Sequence, residues 1–254
     1  MGGRFDPTDT RLKFVASKLT EPGLEFLQEL SQLQTLNLGG TEITDSGLAN
    51  LKKMSQLEAI FLNDTQISGA GLKHLKGLPR LKSVFFYNSQ VQDAGLVYLK
   101  DLPRLQVLNF SNTPISDAGL AHLGELTGLQ ALNLRATQIS DAGLAHLGRL
   151  TQLRRLSLYH TNISDAGLVH IQGLTRLKSL NLGSTQVKDA GLVYLKRMSG
   201  LEKLVLVLSS ITDAGLVHLE GLSNLDELDL RRSKVTNEGA RKLKQALPRC
   251  TIDI

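Results

Sequence analysis

Apolar residues recur in pairs separated by one residue, and the pairs repeat every 24 residues along the chain. Alternation over three residues predicts a short β-strand with one buried face. A second apolar series, spaced at every third residue, follows each pair and predicts a short α-helix or 3₁₀ segment with one buried stripe. The pairs are Leu12/Phe14, Leu36/Leu38, Ile60/Leu62, Val84/Phe86, Leu108/Phe110, Leu132/Leu134, Leu156/Leu158, Leu180/Leu182, Leu204/Leu206, Leu228/Leu230 and Ile252/Ile254.

Three small or polar positions mark the turns of each repeat. Asp recurs just before Ala-Gly-Leu, as in Asp117, and because Asp is a favoured N-cap we expect it to cap the helical segment. The glycine that follows, as in Gly119, indicates a close approach of neighbouring coils. A Ser or Thr after each strand, as in Thr113, is expected to hydrogen-bond the backbone of the adjacent turn.

A single repeat is too small to bury its own leucines, whereas stacked repeats form a continuous core. We therefore predict an α/β fold, a right-handed solenoid with a parallel β-sheet on its concave face and short helices or 3₁₀ segments on its convex face. The predicted organisation is an N-terminal lead-in over 1–8, ten repeats over 9–248, and a C-terminal capping helix and last strand over 237–254. At the N-terminal end, Leu12 and Phe14 would be partly uncovered unless Phe5 folds over them.

These repeats resemble the leucine-rich repeat family, whose L-x-x-L-x-L pattern is matched from Leu12 to Ile254. The Ile-Thr-Asp-Ala-Gly-Leu half, seen at 211–216, is similar to a subtype of bacterial leucine-rich repeat proteins, including planctomycete ones, and to the repeats of F-box receptors and GALA-type effectors. Thr or Ser stands where that family usually has Asn or Cys after the strand. The resemblance implies a horseshoe-shaped scaffold that binds ligands, usually proteins, on its concave sheet.

Composition narrows the class of protein further. The 254 residues are 41% hydrophobic but only 4% aromatic, so the predicted core is aliphatic. Cys250 is the single cysteine, which excludes an intramolecular disulfide framework and a cysteine-based zinc site. No apolar run reaches the roughly 18 residues of a membrane-spanning helix, and residues 1–10 lack the apolar stretch of a signal peptide. We therefore expect a cytoplasmic location and no membrane partner.

The chemistry-bearing residues follow the repeat and do not form a catalytic pattern. Five histidines share one repeat position with Tyr98 and Tyr194, which predicts rings packed along the helical layer and no metal site. The glycines occur once per repeat and do not form a phosphate-binding loop. We expect a protein without catalytic activity or cofactor. The five histidines are His74, His122, His146, His170 and His218.

Function is expected in the residues that the repeat leaves free, because residues alternating with the core pairs point outward from the sheet. One group is aromatic, and rings of this kind are common binding hot spots. A second group is polar and aromatic, with Arg suited to carboxylate or phosphate. A third is apolar. The candidate partner-binding residues are Phe61, Phe85, Tyr87, Asn109, Arg135, Arg155, Tyr159, His160, Val205 and Val207.

These observations predict a non-catalytic scaffold that recognises a protein or peptide on its concave sheet. An alternative is a structural scaffold that associates with copies of itself, either through its open ends or through a patch of Val205, Val207 and Leu208. A third possibility is an acidic partner or nucleic acid bound by a basic rim, although the net charge of +5 makes nucleic acid the least favoured. The rim residues are Arg80, Lys82, Arg104, Arg154, Arg176 and Lys178.

Overall fold

The structure is a computed structural model that describes residues 10–13, 24–25, 27 and 29–254. It comprises two compact units, residues 1–114 and 115–254. The predicted lead-in at 1–8 lies outside the described residues and stays a prediction. Phe5 and Phe14 also lie outside them, so whether Phe5 covers the first apolar pair is not tested.

In the described part of the first unit, five three-residue strands form a parallel sheet and pair in chain order. Leu36 lies opposite Ile60, and Ile60 opposite Val84, so the register advances by one repeat at each strand. The connections between the strands contain 3₁₀ segments at Gly47–Lys53, Ala70–Gly77 and Asp93–Asp101. The strands are β1 (Arg11–Lys13), β2 (Thr35–Asn37), β3 (Ala59–Phe61), β4 (Ser83–Phe85) and β5 (Val107–Asn109).

The second unit has a parallel sheet of six strands with the same register step, since Leu132 lies opposite Leu156 and Leu156 opposite Leu180. Most of its connections contain a short α-helix. The strands are β6 (Ala131–Asn133), β7 (Arg155–Ser157), β8 (Ser179–Asn181), β9 (Lys203–Val205), β10 (Glu227–Asp229) and β11 (Thr251–Asp253). The helices are α1 (Asp117–Leu123), α2 (Asp141–Leu147), α3 (Asp165–Ile171), α4 (Asp213–Leu216) and α5 (Asn237–Ala246), with a 3₁₀ segment at Asp189–Leu195.

The predicted fold class is confirmed, because parallel strands alternate with short helices and 3₁₀ segments. Both members of the apolar pairs are buried from Leu36/Leu38 to Leu228/Leu230, together with the helical leucines. The last pair differs, because Ile252 is partly exposed and Ile254 is exposed. The core of each unit is therefore mainly aliphatic, with Phe86 and Phe110 as buried aromatic residues in the first unit.

The prediction that the repeated Asp caps its own helix is wrong. In α1 the N-cap is Ser116, whose Oγ accepts the N–H of Ala118. The Asp117 carboxylate instead bonds to the next repeat, where Oδ1 accepts the N–H of Ser140 at 2.7 Å and Oδ2 accepts its hydroxyl at 2.5 Å. A carboxylate with two charge-assisted bonds to the following coil ties the repeats together. The same pairs of bonds join Asp45 to Ser68, Asp141 to Ser164, Asp189 to Thr212 and Asp213 to Thr236.

The recurrent glycine is required by this Asp ladder, the series of carboxylates that bond to the following repeat. A Cβ added at Gly167 would lie 2.3 Å from Oδ1 of Asp141, and one at Gly143 would lie 2.3 Å from Oδ1 of Asp117. Neighbouring coils do approach closely at this position, as the sequence indicates. The glycine makes room for the carboxylate of the preceding repeat.

The threonines of the hydroxyl series after the strands bond within their own repeat. Thr113 donates its hydroxyl to the carbonyl of Phe110 at 2.6 Å, and Thr137 does the same to Leu134 at 2.7 Å. The expected bond to the adjacent turn is therefore corrected to a bond to the residue three positions earlier, which closes the turn locally.

Candidate binding surface

The first unit carries an aromatic cluster on the outward face of its sheet, formed by Phe61, Phe85 and Tyr87. Phe61 ends β3 and lies directly opposite Phe85, which ends β4. Their rings stack with centroids 4.4 Å apart and planes 3° apart, and both are partly buried. Tyr87 is 46% exposed, and its backbone N–H donates to Oδ1 of Asn63 at 2.9 Å. We name these three residues the aromatic cluster.

Alternation along β4 separates this cluster from the core. Phe86 follows Phe85 and points the other way, where it is fully buried and stacks on Phe110 at 5.3 Å between ring centroids. The Phe61–Phe85 stack contributes about 0.5–1.5 kcal/mol of cross-strand stabilisation. Tyr87 has no ring partner among the described residues, so its ring is available for contact with another molecule.

In the second unit, Arg135, Tyr159 and His160 form a polar and aromatic group. The Arg135 guanidinium lies 4.8 Å from the centroid of the Tyr159 ring, which is cation–π geometry. The His160 ring centroid is 6.3 Å from that of Tyr159, and His160 Nδ1 lies 3.1 Å from the hydroxyl of Ser184. The guanidinium and the phenol ring together present charge, a flat apolar surface and a hydroxyl.

Gly183 joins this group to the predicted apolar group. A Cβ added at Gly183 would lie 2.7 Å from Cγ2 of Val207 and 3.0 Å from Cδ2 of Tyr159, so both side chains crowd over the glycine. We name Arg135, Tyr159, His160, Gly183 and Val207 the second-unit surface. The sequence analysis did not include Gly183 among the candidate residues. The available signal was that the equivalent residues in the preceding and following repeats, Tyr159 and Val207, are both large.

The remaining predicted residues lie in different settings. Asn109 uses its Oδ1 inside the chain, where it accepts the N–H of Ser111 at 2.9 Å and its hydroxyl at 2.6 Å. Val205 ends β9 and is partly buried, whereas Leu208 is 44% exposed. Arg155 begins β7, is exposed, and lines a charged groove that includes neither Arg135 nor Tyr159. Their roles in binding stay predictions.

Several cations of the basic rim are bonded to side chains of the neighbouring repeat. Lys82 Nζ lies 2.9 Å from Oε2 of Glu58, and this contact holds the pKa of the Glu58 carboxyl below its usual value. Arg80 donates to Gln56 at 2.5 Å, and Arg176 donates to Gln152. The Glu58 carboxylate neutralises the charge of Lys82, whereas glutamine is neutral and leaves the arginine charges intact. The possibility that this rim binds an acidic partner or nucleic acid stays a prediction.

Two further features bear on the kind of site. Among the residues the structure describes, no group of three or more His, Cys, Asp or Glu side chains is arranged to hold a metal ion. Within the same described ranges, no helix has the length and apolar character needed to cross a membrane.

Comparison with known proteins supports a leucine-rich repeat protein. Three stretches, 30–52, 174–196 and 221–244, match the family model described as Leucine Rich repeat. No curated protein sequence matches the chain. Leucine-rich repeat solenoids present extended surfaces for binding, so the fold is typical of protein–protein interaction. The finer similarity to planctomycete and F-box repeats stays a prediction.

Solved bacterial structures share the fold. An internalin of Listeria monocytogenes, inlF, is 25% identical with a TM-score of 0.71, and the match covers 90% of this chain and 69% of the internalin. Internalin C2 of the same organism is 24% identical with a TM-score of 0.60, covering 92% of this chain and 84% of that one. A leucine-rich repeat protein of Leptospira interrogans is 18% identical with a TM-score of 0.59, covering 91% and 74%.

Proposed function

We propose that this protein is a non-catalytic scaffold that binds a protein or peptide on the outward face of its sheet. The observation that carries the proposal is the exposed Tyr87 ring beside the Phe61–Phe85 stack. The core, the Asp ladder and the threonine turns hold the fold without using this ring. A large ring on a rigid sheet buries much area on binding at a small cost in conformational entropy.

The second-unit surface extends the same proposal. Tyr159 supplies a flat ring and Val207 an apolar edge, and both lie against Gly183. Arg135 supplies charge and lies over the other side of this group, with its guanidinium against the Tyr159 ring. Such a mixture of Arg, Tyr and aliphatic side chains is typical of the centre of a protein–protein interface.

The test is a selection of peptides from a random displayed library on the wild-type protein. We expect an enriched peptide to lose at least about tenfold in affinity for Tyr87→Ala or Tyr159→Ala, since hot-spot truncation commonly costs more than about 1.4 kcal/mol. Tyr98→Ala is the matched control, because Tyr98 is 37% exposed but lies in the 3₁₀ segment Asp93–Asp101 and not on the sheet.

Thermal melts of all three variants verify that they remain folded. A selection in which every enriched peptide binds Tyr87→Ala and Tyr159→Ala as well as it binds wild type would refute the proposal. Equal losses for Tyr98→Ala would do the same, since they would place the contact away from the sheet face.

One observation favours self-association as a second candidate function. Leu208 is 44% exposed and follows Val205 and Val207, so three apolar side chains lie close together at the end of β9. Light scattering at several protein concentrations would reveal a mass that rises with concentration. A mass that stays monomeric throughout, or an oligomer unchanged by Leu208→Asn, would remove this candidate.

A further inference from the structure

A charged groove of about 440 Å³ lies at the N-terminal ends of the strands in the second unit. It follows two adjacent repeat positions, the residue before each strand and the first residue of the strand. Four cationic and three acidic side chains line it. The lining residues are Gln130, Arg154, Arg155, Lys178, Ser179, Glu202, Lys203, Asp226 and Glu227.

Every carboxylate in the groove already has a cationic partner. Lys178 Nζ lies 2.7 Å from Oε1 of Glu202, and Lys203 pairs with Glu227 in the same way, one repeat apart. Asp226 Oδ1 lies 3.8 Å from the guanidinium of Arg249, which is outside the groove lining. Both lysines are used in these pairs, so their charges are compensated within the chain.

Arg154 and Arg155 are the uncompensated cations. Both are exposed, and in the part of the chain that the structure describes neither has a carboxylate within ion-pair distance. The reason lies in the register. Arg155 has Ala131 on one side and Ser179 on the other, while the corresponding neighbours of Arg154 are Gln130 and Lys178. The repeats that supply Glu to the lysines supply none to these two arginines.

We propose that this groove binds an extended acidic peptide segment, with two carboxylates of the segment taking the places next to Arg154 and Arg155. Guanidinium groups suit carboxylates because their N–H groups form two parallel hydrogen bonds. The chain shows this chemistry at Arg231, whose Nε and Nη2 donate to the two oxygens of Asp229 at 2.9 and 2.6 Å.

The size of the groove sets the length of the segment. It runs across the strand positions of β6 to β10, which at about 4.8 Å per strand is roughly 19 Å. An extended peptide covers at most about 3.3–3.6 Å per residue, so about six residues fit. Near Glu227 the charges of the groove are already paired, so that end takes neutral residues of the peptide. The acidic residues of the peptide lie at the other end, next to Arg154 and Arg155.

The groove does not depend on the aromatic cluster or the second-unit surface, so the two proposals fail separately. The probe is a fluorescein-labelled hexapeptide with two adjacent glutamates at one end, followed by anisotropy. We expect Arg154→Ala combined with Arg155→Ala to weaken its binding at least tenfold, and added salt to weaken binding to the wild type. Arg176→Ala is the matched control, because its exposed guanidinium is already bonded to Gln152.

Two further arms decide between outcomes. The double charge reversal, Arg154→Glu with Arg155→Glu, should no longer bind the glutamate peptide. It should instead bind the peptide in which two lysines replace the two glutamates. Equal binding of a peptide with glutamines in place of glutamates, or an unchanged affinity in the double alanine variant, would overturn the proposal. It would also be overturned if a single-stranded oligonucleotide bound more tightly than the peptide and lost binding in the same variant, because the groove would then be a nucleic-acid site.

Discussion

Gly167→Ala tests the Asp ladder, because alanine at a helical position normally stabilises a protein. Gly167 is the third residue of α3, and elsewhere in a helix the exchange gains up to about 1 kcal/mol. Here the new Cβ would lie 2.3 Å from Oδ1 and 3.0 Å from Cγ of Asp141. The carboxylate must therefore move away from Ser164, to which it is bonded at 2.8 Å through the N–H and 2.5 Å through the hydroxyl.

The size of the effect follows from these two bonds. Hydrogen bonds to a charged group contribute about 1.5–3 kcal/mol each, and the lower value applies because Asp141 is only partly buried. Loss of both costs about 3 kcal/mol, and the helical gain offsets about 1 kcal/mol. The expected net loss in the free energy of unfolding is about 2 kcal/mol, measured by urea denaturation with circular dichroism.

Gly173→Ala is the control, since no atom lies within 4 Å of its added Cβ and its backbone is outside the left-handed region. It should be neutral or stabilise by up to about 1 kcal/mol. In a double-mutant cycle, Asp141→Ala should remove much of the cost of Gly167→Ala, with a coupling of at least about 1 kcal/mol. If Gly167→Ala is as mild as Gly173→Ala, the carboxylate does not need the space and the reasoning is wrong.

Two other predictions follow from single buried atoms. Ser89 Oγ is buried and has no hydrogen-bond partner among the described residues. Thr65 and Thr113, at the same repeat position, donate to the carbonyl three residues earlier at 2.7 and 2.6 Å. Ser89→Thr should raise the free energy of unfolding, measured by urea denaturation, by about 1 kcal/mol. The β-branched side chain has fewer rotamers and adds a hydrogen bond to the carbonyl of Phe86. A lower free energy of unfolding would contradict this prediction. Burial raises the pKa of the Cys250 thiol to about 11. At pH 8 a thiol reagent should therefore react about a hundredfold more slowly with the folded protein than in urea, where the pKa is near 8.5, and comparable rates would refute the burial.

The fold was predictable because its signals are repeated. One apolar pair such as Leu132 and Leu134 is weak evidence for a strand. Because the pairs recur at a constant spacing of 24 residues, only one register of the strands pairs them with each other. The choice between α-helix and 3₁₀ was not predictable, since Asp165–Ile171 and Asp189–Leu195 have nearly the same sequence and differ in their hydrogen bonding.

The candidate surfaces were predictable in composition but not in their contacts. Alternation placed Phe85 outward and Phe86 inward, and the structure has this arrangement. The contact of Tyr159 and Val207 over Gly183 was missed, because it depends on side-chain volumes in three separate repeats. The partner of each Asp was missed for a related reason: capping within one helix and bonding to the next coil require the same residue type.

One turn position in the later repeats has a backbone conformation that its residues disfavour, and it lies beside the candidate surfaces. The residue in question has a positive φ in every described repeat from Gly40 onward, at 52–69°. Gly, Asp and Asn tolerate this conformation and occupy the early repeats, whereas the later ones carry side chains that pay about 1–2 kcal/mol in strain. The later residues are Ala136, His160, Ser184, Leu208 and Arg232.

The stacking of repeats explains how that strain is tolerated. Four of these five residues donate their N–H to a carbonyl of the next repeat, as from His160 to Gly183 at 2.9 Å and from Leu208 to Arg231 at 3.1 Å; the other two are Ala136 and Ser184. Because neighbouring coils fix this backbone, the side chain there is not restricted to the residues that favour the turn. His160 and Leu208 belong to the residues proposed for binding and for self-association. At this turn position the stacking of repeats fixes the backbone, so the side chain can vary and can serve the surface. Residues that disfavour their backbone conformation are also expected at functional sites.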